Sequence, residues 1–322
     1  MNISRNQRDE ILFHIGIHKT ASSSLQEGLF VPKNGFHSLE RNKLLRYFVD
    51  KFSTELLSSR ELDDLQLFIK QSYASQLYPV ASHERLSGYP LFGGYDRESI
   101  FKRISQSGLN IKILFIIREQ NSWIYSAWKQ LINDGANLSL NKFIDVKPDH
   151  PDLILPSIFR LEYLNYSREI EELYKLFGKN NVCVVPMELI INDYSCFIDK
   201  LEKVIDFDFN INKLDSLNWL NKSDKLSSIY IQKFLNTLLY KTSSSPFGLL
   251  DERYDLVRSL RGRLINLTNK IPEIPWAFKL VSLHKDKINK SVGNYYAESN
   301  AKTSELIGVE LGNFGYTTSS SF

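Results

Sequence analysis

The sequence has little of what marks secreted, membrane-spanning or nucleic-acid-binding proteins. Its 322 residues include 2 cysteines, Cys183 and Cys196, whose spacing fits neither a disulfide framework nor a metal site. No run of about 18 apolar residues is present, and the polar start MNISRNQRDE has no apolar signal-peptide core. A net charge of +3 is too small to indicate nucleic-acid binding. We therefore expect a cytoplasmic protein with no membrane span and no nucleic-acid partner.

Three short, nearly continuous apolar runs are typical of strands buried on both faces of a parallel sheet. They are ILFHIGI (residues 11–17), IKILFII (111–117) and VCVVPM (182–187), with YPVASHERL (78–86) as a weaker fourth. Helical patterns separate them, such as residues 159–178, which end on a glycine. This alternation predicts a three-layer α/β/α fold with a central parallel sheet. Beyond about residue 206 the chain reads as helical and irregular, with no convincing strand.

The segment GIHKTASSS (residues 16–24) follows the first predicted strand, where open α/β sheets bind ligands. Gly16 permits a tight turn and Lys19 supplies a positive charge. Amides and hydroxyls follow at Thr20, Ala21, Ser22, Ser23 and Ser24. A Walker A loop does not match, because the lysine follows the glycine by three positions and no second glycine precedes it. The segment therefore predicts an anion site of another kind, or else a strand–turn–helix junction with a solvated lysine.

A second candidate site begins where the predicted strand 111–117 ends. Arg118 ends this strand, and Ser126 follows eight positions later, about two turns into the next helix. An arginine suits a phosphate because its planar guanidinium gives two charge-assisted hydrogen bonds, to which a serine hydroxyl adds one. The alternative is a surface ion pair and an ordinary helix position.

Taken together, these segments resemble sulfotransferases that use 3′-phosphoadenosine 5′-phosphosulfate (PAPS), especially the bacterial and carbohydrate (heparan-like) branch. FHIGIHKTASSSLQ is similar to the 5′-phosphosulfate loop HIG-x-HKTGTTSLQ, with Ala21 in place of a glycine and two serines in place of the threonines. Arg118 and Ser126 fit the pattern R-x-P-x(5)-S, with Gln120 where proline is common. The segments VPMELIINDYSCFIDKLEKVIDFD and YYAESNAKTSELIGVELGNFGY continue the likeness to Tyr316. Ala21 is unfavourable if its position requires a positive φ.

The resemblance implies a P-loop-NTPase-like sulfotransferase fold and PAPS-dependent O-sulfotransferase activity. A sulfuryl group would pass from PAPS to a hydroxyl of a carbohydrate or glycolipid, leaving 3′-phosphoadenosine 5′-phosphate (PAP), without a metal. The implied donor site consists of the residues of the first loop, the Arg–Ser pair and a late basic segment. These residues are Gly16, His18, Lys19, Thr20, Ala21, Ser22, Ser23, Ser24, Arg118, Ser126, Lys290, Ser291 and Gly293. Lys19 would also act in catalysis, at the bridging oxygen.

Two neighbouring residues compete for the role of catalytic base. Glu84, in VASHERLSG, matches the glutamate of related carbohydrate sulfotransferases, whereas His83 stands near the histidine of the small-molecule branch. Neighbours on a strand point to opposite faces, so both enter the site only if the strand has already ended. We favour Glu84; its alternative is a surface ion pair with Arg85.

The resemblance also divides the single expected domain into parts. Residues 1–205 form the nucleotide-binding core, 206–289 a helical acceptor-side region, 290–316 a C-terminal donor-site segment and 317–322 a frayed tail. The proline-containing stretch 145–156 is expected to be a lid or acceptor-facing loop. Arg258, Arg261 and Arg263 share part of a helix face, and Trp123 and Trp128 are expected to pack a helix. The rival functions are a P-loop kinase-like phosphotransferase and a catalytically inactive sulfotransferase-like protein that binds a nucleotide or glycan.

Overall fold

The computed structural model describes residues 9–90, 93–144, 159–207, 225–238, 240–241, 250–251, 255–270 and 275–318. The expected loop at 145–156 and the last residues of the expected tail lie outside these ranges. The chain forms two compact units. The first comprises Met1–Glu119, Arg160–Asn221 and Tyr296–Phe322, and the second comprises Gln120–Phe159 and Lys222–Tyr295.

The helices of both units alternate with strands along much of the chain, as the sequence predicts. In chain order they are α1 (Ser22–Gly28), α2 (Arg41–Leu44), α3 (Ser59–Ala74), α4 (Arg97–Ser105), α5 (Gln120–Asn133), α6 (Leu140–Ile144), α7 (Tyr166–Phe177), α8 (Met187–Asn192), α9 (Tyr194–Ile205), α10 (Leu226–Leu238), α11 (Asp255–Lys270), α12 (Pro275–Val292) and α13 (Ala297–Ile307). None of the helices among the described residues is both long and apolar enough to cross a membrane.

The first unit contains a five-stranded sheet in which every neighbouring pair of strands is parallel. The strands are β1 (Glu10–His14), β2 (Phe36–Ser38), β3 (Tyr78–Ser82), β4 (Asn110–Ile117) and β5 (Val182–Pro186), in the order β2-β3-β1-β4-β5. The predicted parallel sheet is therefore confirmed. The short strand β2 was not predicted, because three residues are too few to show a hydrophobic period.

Alternate residues of the strands supply the two faces of this sheet. On one face, Leu12, Leu114 and Ile116 belong to a buried cluster with side chains of α1, α8 and α9. On the other face, the Phe13 ring meets the Phe48 ring edge-on, with centroids 5.1 Å apart. Helix α7 packs against β4 and β5. Helices on both faces explain why the strands read as continuous apolar runs, and they give the predicted α/β/α layers.

Strand β1 lies between β3 and β4, and the strand order reverses there. The chain runs from β1 to β2 and β3 on one side, and then to β4 and β5 on the other. At such a reversal the loops after neighbouring strands separate and leave a crevice at the carboxyl ends of the strands. The segments after β1, β3 and β4 therefore meet at one edge of the sheet.

The second unit is mainly helical. Asn236 of α10 donates hydrogen bonds from Nδ2 to the carbonyls of Ile132 (2.7 Å) and Ala136 (2.9 Å), at the end of α5. Trp123 and Trp128 of α5 are buried, as expected for helix packing. The sequence predicts no strand here, but β6 (Tyr240–Lys241) and β7 (Leu250–Asp251) form a parallel pair. Strands of two residues are too short for a sequence pattern to reveal.

Candidate active site

The loop after β1 has a backbone geometry suited to binding an anion. Lys19 and Ala21 have positive φ angles of 67° and 63°, whereas Thr20 between them is not among the residues with positive φ. Alternation between right- and left-handed conformations turns successive amide groups toward one side and forms a concave anion-binding nest. The position at which this chain has Ala21, and the family pattern has glycine, is thus one where an L-residue is strained. Ala21 does occupy the left-handed conformation.

Side chains behind this loop fit closely and leave one hydroxyl unpaired. A Cβ on Gly16 would lie 2.9 Å from both His14 Nε2 and Thr20 Oγ1, so the close approach requires glycine. The Thr20 hydroxyl donates to the carbonyl of Ile17. Ser22 Oγ is buried and has no hydrogen-bond partner among the described residues. An unpaired buried hydroxyl costs about 1–3 kcal/mol, so a ligand oxygen at this loop would have a stabilising partner in Ser22.

Arg118, immediately after β4, is joined directly to this loop. Its Nη1 donates to the Lys19 carbonyl at 2.7 Å, which fixes the carbonyl of a residue with positive φ. Arg118 Nε is buried without a hydrogen-bond partner among the described residues. Burial lowers the pKa of Arg118 and the nearby Glu188 acts against this, but a guanidinium stays charged in either case. The loop and Arg118 therefore form one positively charged edge.

Two side chains hold the backbone at Arg118 and Glu119, and a third supports one of them. Glu188 of α8 accepts a hydrogen bond from the Glu119 amide (3.1 Å) through Oε1 and from Tyr316 Oη (3.0 Å) through Oε2. Tyr166 Oη donates to the Arg118 carbonyl at 2.6 Å. Burial raises the pKa of Glu188, although the hydrogen bonds and Arg118 oppose this change. Two segments quoted for the family likeness, around Glu188 and Tyr316, thus meet at the end of β4.

The end of β3 is fastened to β1 and α1 by hydrogen bonds. His14 Nδ1 lies 2.7 Å from Ser82 Oγ. Gln26 Nε2 donates to the Ser82 carbonyl at 3.0 Å and to Ser82 Oγ at 3.2 Å. These bonds fix the start of the segment that carries His83 and Glu84.

His83 and Glu84 both lie beyond the strand, because β3 ends at Ser82. Glu84 is the first residue of a 3₁₀ turn (Glu84–Ser87), and His83 caps it by accepting the Arg85 amide through Nδ1 at 3.0 Å. A second donor, Arg41 Nε, lies 3.0 Å from His83 Nε2, although a neutral imidazole accepts a hydrogen bond at only one of its nitrogens. His83 is buried, whereas about a third of the Glu84 side chain is exposed (32%). With donors facing both ring nitrogens, His83 is poorly placed to accept a further proton.

The Glu84 carboxyl is ionised at neutral pH, because its pKa is lowered. Burial acts to raise the pKa of Glu84, but His83, the Glu84 amide, His18 and Arg41 together bring this pKa below its ordinary value. Burial lowers the pKa of His14 and of His18 to about 4, and it also lowers the pKa of His83. At neutral pH the group is therefore one carboxylate among neutral imidazoles.

Arg85 does not pair with Glu84, so the alternative of a surface ion pair between these two residues is wrong. Arg85 Nη2 lies 2.9 Å from Asp96 Oδ2, and its guanidinium lies 4.9 Å from the centre of the Tyr89 ring. The His18 ring meets the same Tyr89 ring edge-on, with centroids 6.2 Å apart. The residue that follows Glu84 is therefore occupied by Asp96 and Tyr89 and leaves the Glu84 carboxylate without an ion pair to Arg85.

The buried Arg97 stabilises the 3₁₀ turn through a hydrogen bond to its backbone. Arg97 Nε donates to the Ser87 carbonyl at 2.7 Å, and Arg97 Nη1 lies 2.8 Å from Glu169 Oε1. Ser87 Oγ donates to the Glu84 carbonyl at 2.7 Å. Since Arg97 and Ser87 are buried, these bonds fix the backbone of Glu84 while its side chain remains half-buried.

The remaining predicted donor-site residues belong to the second unit. Ser126 is half-buried in α5, while Lys290 and Ser291 are exposed in the last turn of α12. Asn121 Nδ2 donates to Asn289 Oδ1 at 2.9 Å, which joins the start of α5 to the end of α12. The predicted basic segment is therefore helical at Lys290 and Ser291. Gly293 follows with φ 51°, and its amide donates to the Asn289 carbonyl.

Several residues of the site were not predicted from the sequence. Arg41, Ser82 and Tyr166 carry no local pattern that marks them, since each acts on a residue distant in the chain. Glu188 lies in the quoted segment VPMELIINDYSCFIDKLEKVIDFD, which was its only signal. Tyr316 ends the quoted segment LGNFGY, which was its only signal. Among the described residues, no group of three or more His, Cys, Asp or Glu side chains is placed to hold a metal ion.

Comparison with known proteins adds one finding. No protein-family model and no curated protein sequence matches the chain. Among solved structures, the chain is similar to the crystal structure of a sulfotransferase from Alicyclobacillus acidocaldarius, with a TM-score of 0.50 and 11% sequence identity. The match covers 94% of this chain and 98% of that chain. At this identity the likeness establishes the fold alone, and the chain has the predicted α/β/α sulfotransferase fold with a central parallel sheet.

Proposed function

We propose that the protein is a PAPS-dependent sulfotransferase that acts on a hydroxyl of a carbohydrate or glycolipid. The main support is the loop after β1, where alternating φ angles, Lys19 and the unpaired Ser22 hydroxyl fit a bound phosphate or sulfate oxygen. Arg118, a second positive group, donates a hydrogen bond to the Lys19 carbonyl of this loop. A carboxylate, Glu84, lies at the end of the neighbouring strand.

In the proposed reaction each of these residues has one role. The acceptor oxygen forms a bond to sulfur, the bond from sulfur to the bridging oxygen breaks, and its electron pair stays on the 5′-phosphate. Lys19 and the loop amides of residues 20–24 neutralise the charge that develops there. Glu84 takes the acceptor proton, for which it must be ionised, in agreement with the lowered pKa of Glu84.

We assign the 3′-phosphate to Arg118 of the first unit. Four residues of the second unit stay predictions from the family resemblance: Ser126, Lys290, Ser291 and Gly293. Arg118 retains a buried Nε–H that has no partner among the described residues, which suits a phosphate oxygen. Among these four, the Gly293 amide already donates to the Asn289 carbonyl, so the exposed Lys290 side chain suits an anion better than that amide does.

Binding of PAP in the absence of magnesium tests this proposal. We expect PAP with a chelator to raise the Tm of the full chain, whereas ATP with magnesium should have little effect. Lys19→Met should weaken PAP binding roughly tenfold or more, since it removes a charge-assisted contact worth about 1.5–3 kcal/mol. Lys302→Met serves as the matched control, because it removes a lysine of α13 that pairs with Glu171 of α7.

The outcome also separates the rival functions. A clear preference for Mg-ATP would favour a phosphotransferase. PAP binding without transfer of labelled sulfate to any sugar or glycolipid in a broad panel would favour a binding protein. If PAP does not raise the Tm, the proposed donor site is wrong.

A further inference from the structure

An exposed row of leucines runs along helix α11. Leu256, Leu260 and Leu267 expose 72%, 48% and 61% of their surface. At about 100° per residue, these three positions fall within a sector of roughly 40° around the helix axis. We name this row the leucine stripe. Large apolar side chains scattered singly are ordinary on a surface, but an aligned row of three indicates a binding surface.

The leucine stripe points away from the face that α11 buries. Thr268 is buried, and its Oγ1 lies 2.6 Å from Ser228 Oγ of α10. At about 100° per residue, Thr268 lies roughly 80–120° from the leucine stripe around the helix axis. Helix α11 thus packs within its unit through one face and presents a second apolar face outward.

Positive charge lies along one side of the leucine stripe. Arg263 and Lys270 are both exposed and lie within roughly 80° of every stripe leucine around the helix axis. With Arg258 and Arg261, they give α11 four basic residues against one acidic residue, Asp255. Across residues 222–295 there are 13 Lys and Arg against 6 Asp and Glu, a net charge of +7 in a chain whose total is +3. The partner of this surface must therefore be both anionic and able to accept leucine side chains.

We propose that α11 docks on the surface of a bilayer containing anionic lipids, without crossing it. In this arrangement the leucine stripe enters the boundary between headgroups and acyl chains, while Arg263 and Lys270 lie at the level of the lipid phosphates. A second copy of the chain fits less well, because two helices of equal positive charge repel each other. Residues 222–295 also carry a net charge of +7, which attracts this part of the chain to a broad anionic plane at long range.

Vesicle co-sedimentation of the full chain tests this inference independently of sulfuryl transfer. The probes are vesicles of phosphatidylcholine alone and vesicles with about 30 mol % phosphatidylglycerol. We expect binding to the anionic vesicles that weakens as salt rises from about 0.1 to about 0.5 M. The variant L256S/L260S/L267S should lose at least roughly tenfold in partitioning. R263Q/K270Q should also weaken binding, by roughly fivefold per charge.

Leu67→Ser is the matched control, because Leu67 is equally exposed (52%) but lies on α3, close to Asp63 and Asp64. This variant should bind like the wild type, and circular dichroism should show that all variants are folded. The proposal is overturned if the wild type does not bind anionic vesicles, or if the triple leucine variant binds them as well as the wild type does. It is also overturned if sedimentation shows that the leucine stripe forms a dimer or holds an acidic protein in place of lipid.

Discussion

Replacing Ala21 by glycine should stabilise the protein. Ala21 has φ 63° and ψ 24° at the residue before α1. In this left-handed conformation Cβ approaches the following carbonyl, which costs an L-residue about 1–2 kcal/mol. Glycine avoids this cost, but the unfolded chain gains entropy worth about 0.4–1 kcal/mol. The difference predicts a net stabilisation of about 0.5–1 kcal/mol.

An alanine in a right-handed helix provides the control. Ala301 is half-buried like Ala21, but it lies in the interior of α13, where glycine costs about 1 kcal/mol. Ala21→Gly and Ala301→Gly should therefore change the free energy of unfolding in opposite directions and differ by about 1.5–2 kcal/mol. For a chain of this length, that difference corresponds to about 2–3 °C in Tm.

Urea unfolding followed by tryptophan fluorescence, together with thermal melts, measures both variants. If Ala21→Gly lowers the free energy of unfolding as Ala301→Gly does, then Ala21 carries no backbone strain. The loop would then lack the alternation of φ from which we infer an anion-binding nest. A stabilised Ala21→Gly would show that the chain retains a strained residue in this loop.

Three further predictions concern the groups around the site. Tyr316→Phe should cost about 1.5–3 kcal/mol of unfolding free energy, because it leaves an oxygen of the half-buried Glu188 carboxylate without a donor. It should also weaken PAP binding, whereas Tyr174→Phe, which loses a hydrogen bond to the Leu306 carbonyl, should not. His14 has a pKa of about 4 when folded against an ordinary 6.5, so its contribution is complete above pH 6.5 and is lost as the pH falls toward 4. Between about pH 7.5 and about pH 5 this loss amounts to about 2 kcal/mol, and urea titrations of His14→Gln should show a correspondingly flatter pH dependence. Glu84→Gln should retain PAP binding but lose roughly 10²–10⁴-fold in sulfate turnover, the usual contribution of a general base; full turnover would assign the base elsewhere.

Local pattern was sufficient to predict the layers of the fold. The apolar runs at 111–117 and 182–187 are β4 and β5 with boundaries shifted by one residue, because strands covered on both faces have no polar alternation. The run at 11–17 ends as a strand at His14, yet the amides of Ile15 and Ile17 still donate to carbonyls of β4. The ladder thus continues into the loop, which is why the apolar run is longer than the strand.

The amino-acid sequence by itself determined the parallel sheet, the loop with Lys19 and the placement of Arg118 and Glu84 just after strands, since each depends on residues adjacent in the chain. Only the tertiary structure decided that Ala21 is left-handed, that Arg41 engages His83 from 42 residues away and that Tyr316 reaches Glu188 across 128 residues. Propensity and period describe neighbours along the chain. Contacts between distant segments depend on how buried side chains pack, and that packing brings these groups to the carboxyl edge of the sheet.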